Sequence, residues 1–81
     1  MLETWNECVI IQLPALDGVQ IVWTPAQAAN LLSDCWPVDH GVAYTEALNK
    51  CTDAMLGDYP WDMARDAFIK AISEGQVTKL R

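Results

Sequence analysis

The sequence predicts an α+β domain, a small antiparallel β-hairpin packed with three α-helices in the order β-β-α-α-α. Two short runs rich in β-branched residues, Cys8–Leu13 (CVIIQL) and Val19–Trp23 (VQIVW), lie on either side of a turn segment. Apolar residues then recur at helical spacing in three successive segments, each ended by Pro or Gly. Residues 1–81 are read as one domain, with the hairpin over about 8–23 and helices over about 25–35, 40–56 and 60–74.

The hairpin follows from its turn. Pro14-Ala-Leu-Asp-Gly18 supplies a proline and an Asp-Gly pair, and five residues containing Gly join two strands readily. If Gln12 and Gln20 face solvent, strand alternation puts Val9, Ile11, Leu13, Val19, Ile21 and Trp23 on the buried face. Cys8, Ile10 and Val22 then form the other face, which is more apolar than a solvated sheet requires. Either the C-terminal segment Val77–Leu80 covers that face or another chain does. A third strand within residues 76–81 stays open at this level.

Thr24-Pro25-Ala26-Gln27 opens the first helix. Thr24 can accept from the Gln27 N–H, Gln27 can reach back as in a capping box, and proline fits the first helical position. Ala28, Leu31, Leu32 and Cys35 make its apolar stripe, and Pro37 forces Trp36 out of the helix. Asp39 is the expected N-cap of the second helix, whose stripe is Tyr44, Ala47, Leu48, Cys51 and Met55. Gly57 terminates it. The third helix opens near Asp58-Tyr-Pro60 and has the cleanest stripe, Ala64, Ala67, Phe68, Ala71 and Ile72, ended by Gly75.

Several of these residues together resemble a known family. They are Ala28-Ala29-x-Leu31-Leu32 followed by Trp36-Pro37, then Gly41, Tyr44, Ala47-Leu48, Cys51 and Gly57, and Ala64-Arg65-x-Ala67-Phe68-Ile69-x-Ala71. The pattern, over roughly residues 9–75, is similar to the bacterial domain of unknown function 982, DUF982. The resemblance implies a fold and brings no activity, cofactor or partner with it. This chain departs from the family after the third helix, where Gln76–Arg81 replaces a short apolar tail.

Charge and composition narrow the function. The formal net charge is -6, so phosphate backbones and anionic lipid are repelled, and neither nucleic acid nor membrane is an expected partner. No apolar run approaches the ~20 residues needed to span a bilayer. The start, MLETWNECVIIQL, lacks the basic residues of an export signal, and three cysteines read as reduced thiols. A cytoplasmic location is expected.

The densest chemistry lies in Asp34-Cys-Trp-Pro-Val-Asp-His-Gly41, which reads as a corner between helices. Cys35 and His40 lack the paired ligands of a zinc site, and Cys35 lies beside Asp34 at a helix C-terminus, where a thiolate is disfavoured. Asp58, Asp62 and Asp66 read as a solvated acidic face, since no calcium loop surrounds them. No catalytic residue, metal ligand or cofactor is expected, and the protein is read as a non-enzyme.

Two binding readings remain. Arg65 flanks the core stripe of the third helix and needs a partner, either Asp34, Asp39 or the carbonyls ending the first helix, or an anionic ligand. In the ligand reading Trp36, His40 and Tyr44 are its walls. The preferred reading is a protein-interaction module that self-associates or binds another protein. Trp23 and Trp36 are expected in the core, and the expected interface is Trp5, Cys8, Ile10, Val22 and Trp61.

Overall fold

The computed structural model describes residues 5, 7–13, 18–36, 41–75 and 77–80. They form β1 (Val9–Gln12), β2 (Val19–Val22), α1 (Pro25–Asp34), α2 (Val42–Met55), α3 (Trp61–Glu74) and β3 (Thr78–Lys79). The sheet is antiparallel with strand order β2-β1-β3. The α+β class and the order of hairpin and helices are as expected. The C-terminal segment extends the sheet at its edge as β3 and does not lie across its face.

Register corrects the expected faces of the hairpin. Val9 lies opposite Val22 and Ile11 opposite Gln20. Opposed residues share a face, so odd-numbered positions of β1 share theirs with even-numbered positions of β2. Val9, Ile11 and Leu13 are buried as expected, and Val22 joins them. Val19, Ile21 and Trp23, expected inside, are 47, 50 and 40% exposed. Alternation fixes the two faces of each strand, but the turn decides which faces match across the pair.

Helix α1 starts as the sequence specifies. The Gln27 N–H donates to Thr24 Oγ1 at 3.2 Å, with Pro25 in the first turn. Gln27 Oε1 accepts from the Trp23 N–H at 2.7 Å, one residue earlier than a capping box requires. All five predicted stripe residues of α3 are buried. In α2 the stripe is displaced at its end, with Ala54 buried and Met55 half exposed.

Trp5 and Trp23 exchange the roles expected of them, while Trp36 packs against the core as expected. Trp5 is 1% exposed, its ring 6.2 Å from that of Phe68, and its indole N–H donates to the Trp61 carbonyl at 2.9 Å. Trp36 packs on the same Phe68 at 5.8 Å, while Trp23 is on the surface. Trp5 and Val22 therefore belong to the core and are unavailable to a partner. The reason is tertiary: the chain entering β1 runs across α3, and Trp5 fills the space beside Phe68.

Long-range side-chain bonds close the helix ends. Tyr44 Oη donates to the Leu32 carbonyl at 2.7 Å, near the end of α1, and Trp61 Nε1 donates to the Ala54 carbonyl at 3.0 Å, near the end of α2. At the start of α2 the N-cap is Gly41, which has no side chain to contribute. Glu74, from the last turn of α3, supplies the cap: its carboxylate accepts from Ala43 N–H and Tyr44 N–H, both at 3.1 Å. Asp39, the expected cap, lies outside the described residues.

Candidate interaction surface

Helices cover the inner face of the sheet, and among the described residues no element covers its outer face. Directly opposed residues put Ile10 beside Ile21 and Gln12 beside Val19 on that outer side. The Leu80 N–H donates to the Ile10 carbonyl at 2.7 Å, which brings Leu80, 54% exposed, alongside Ile10. Trp23 follows Val22 at the end of β2. The face thus presents Val19, Ile21, Trp23 and Leu80 around a half-buried Ile10. A cluster of large apolar side chains on one sheet face, with half their surface in water, loses solvent contact favourably at about 25 cal/mol per Å².

The residues expected at an interface differ in their exposure. Cys8 and Ile10 are half-buried and within reach of a partner. Trp61 is also half-buried, but its indole N–H is committed to α2. Val19, Ile21 and Leu80 are exposed, whereas Trp5 and Val22 are buried. The sequence holds the signal for this, since both strands are apolar on both faces, but it lacks the register.

Of the Arg65 candidates, the three described residues are each engaged with other groups. Arg65 Nε donates to the Glu7 carbonyl at 2.9 Å, and its guanidinium lies 4.0 Å from the Glu7 carboxylate. Asp34, an expected partner, is replaced by Glu7, because Trp61, Arg65 and Phe68 recur at i, i+4 and i+7 and together hold the segment entering β1. The shallow cleft at Arg65 is lined by Glu7, Asp62 and Asp66, so carboxylates surround the one guanidinium. Trp36 is packed on Phe68, Tyr44 is buried with its hydroxyl on α1, and His40 lies outside the described residues.

All three cysteines are free thiols. Cys51 is buried between α2 and α3, with Sγ 3.8 Å from the Ala64 carbonyl, and burial pushes its pKa from 9.0 up to about 12. The unfolded chain therefore releases this proton at a lower pH than the folded one does. Between pH 9.0 and about 12 the folded state binds more protons, so stability falls as pH rises through that window. A Cys51→Ala variant is expected to lose less stability over the same window, as followed by urea denaturation at stepped pH. Equal slopes for the two proteins would place the thiol outside a desolvated site. Among the described residues no three His, Cys, Asp or Glu side chains group to hold a metal ion, and no helix is long and apolar enough to cross a membrane.

No curated protein and no solved structure matches the chain. The family model for "Protein of unknown function (DUF982)" matches residues 7–79, which span the sheet and all three helices. With nearly its whole length covered, the chain belongs to the DUF982 family.

Proposed function

We propose that the protein is a non-enzymatic interaction module of the cytoplasm that self-associates through the outer face of its sheet. The observation carrying this is the exposure of Val19, Ile21, Trp23 and Leu80 together on one face, next to Ile10. Water contact at such a cluster is costly, and a partner surface removes it. The three free thiols accord with a reducing compartment. An anion site at Arg65 is less well supported, because its Nε is bonded to Glu7 and its neighbours are Asp62 and Asp66.

Ile21→Lys puts a charge in the centre of the face at a position already half exposed, so the monomer fold is expected to tolerate it. Self-association, followed by size-exclusion chromatography with light scattering, is expected to weaken at least about tenfold. Val42→Lys is the matched control, since Val42 is a 75% exposed apolar residue at the start of α2. Equal effects of the two substitutions would contradict the assignment to the sheet face.

A further inference from the structure

The open face ends at an open strand. The order β2-β1-β3 puts β2 at an edge, and no described segment pairs along its far side. Backbone alternation shows which groups point there. The Ile10 carbonyl takes the Leu80 N–H, so the main chain of Ile10 faces β3 and those of Val9 and Ile11 face β2. Their partners Val22 and Gln20 point inward. Val19 and Ile21 therefore direct both N–H and C=O out of the sheet, along the free edge. The Trp23 N–H donates to Gln27 Oε1, and the Trp23 carbonyl accepts from the Trp5 N–H at 2.8 Å, so the open edge stops before Trp23.

Edges of this kind are usually blunted by lysine, proline, a bulge or short length. The β3 edge conforms, being two residues long and carrying Lys79. The β2 edge, Val19-Gln-Ile-Val22, has none of these devices. It also begins a stretch from Gly18 to Ser33 that contains no ionisable side chain, in a chain of net charge -6. Two such chains repel each other over most of their surface, and approach is least opposed along this neutral stretch.

We propose that a second copy of this chain pairs with β2 in antiparallel fashion about a two-fold axis. The pairing rests on the sheet-face reading above and names both the partner and the contact. It joins two three-stranded sheets into one and brings the Val19 and Ile21 side chains of the two copies together on the same outer face. It satisfies the outward N–H and C=O groups of both residues. Because the interface is isologous and the remaining edges are short and basic, assembly stops at the dimer.

The test is residue-resolved amide exchange by NMR on the full chain, at concentrations above and below self-association, with isotope-filtered spectra of mixed labelled and unlabelled protein. The Val19 and Ile21 amides are expected to exchange at least about tenfold more slowly in the dimer. Gln20 and Val22 are expected to be protected in both states. Contacts between β2 protons of the two copies are expected in the filtered spectra. Ile21→Pro removes an N–H that serves no bond within the sheet and is expected to abolish the dimer, whereas Ile21→Thr keeps the N–H and retains measurable association. A dimer lacking β2–β2 contacts, with Val19 and Ile21 exchanging as in the monomer, overturns the strand pairing and leaves the sheet-face reading standing. A chain that stays monomeric at every concentration overturns both.

Discussion

Phe68→Ala is expected to cause the largest loss of stability of any substitution proposed for this domain. Phe68 is fully buried, and both Trp5 and Trp36 rest on its ring. Truncation of a buried phenylalanine costs about 3–5 kcal/mol, because the cavity collapses only in part. A chain of this length has a total stability of about 4–12 kcal/mol, so one side chain removes a large share of it. The melting temperature should fall by roughly 15–30 °C, read by circular dichroism. Phe68→Leu keeps most of the volume and should cost less than half as much. Similar melting curves for Phe68→Ala and the wild type would mean that the aromatic cluster is not the centre of the core.

The second large effect is expected at Glu74. Its carboxylate accepts from two backbone N–H groups in the first turn of α2, and those groups have no acceptor within the helix. Glu74→Ala orphans both and also removes a negative charge from the positive end of the helix dipole. A loss of about 1–3 kcal/mol is expected, measured by urea denaturation. Glu74→Gln keeps an acceptor oxygen without the charge and should fall in between. Gly41 gives an independent check, because a Cβ built there overlaps the Glu74 carboxylate while its extended backbone, φ -98°, suits any residue. Gly41→Ala should therefore expel the carboxylate, and the double variant should cost about as much as Glu74→Ala alone. Strict additivity would show that the two residues do not share one interaction.

These two sites mark where the sequence could and could not be read. The stripe of α3 was legible because helical periodicity needs only local information, and Ala64, Ala67, Phe68, Ala71 and Ile72 satisfy it without competition. The start of α1 was legible for the same reason, since Thr24 and Pro25 act within one turn. The Glu74 cap was not, because 30 residues separate it from Tyr44 and no local rule links them. Asp39 was the nearer and more obvious candidate.

The interaction surface shows the same division. Both strands were visibly apolar on both faces, and a face in need of cover could be inferred. Which residues occupy it depends on the pairing of β1 with β2, and a change of one residue in that pairing exchanges Val22 for Ile21. Burial of tryptophan was harder still. Trp5 is buried because the segment before β1 is held against α3 through Trp61, Arg65 and Phe68, an arrangement that exists only after the domain has folded. The arginine that suggested a ligand thus acts as a tether for that segment.

Sedimentation equilibrium of the unmodified protein tests self-association most directly. At tens of micromolar a mass of twice 9.0 kDa is expected, falling towards 9.0 kDa on dilution. A single species of 9.0 kDa at every concentration would contradict it.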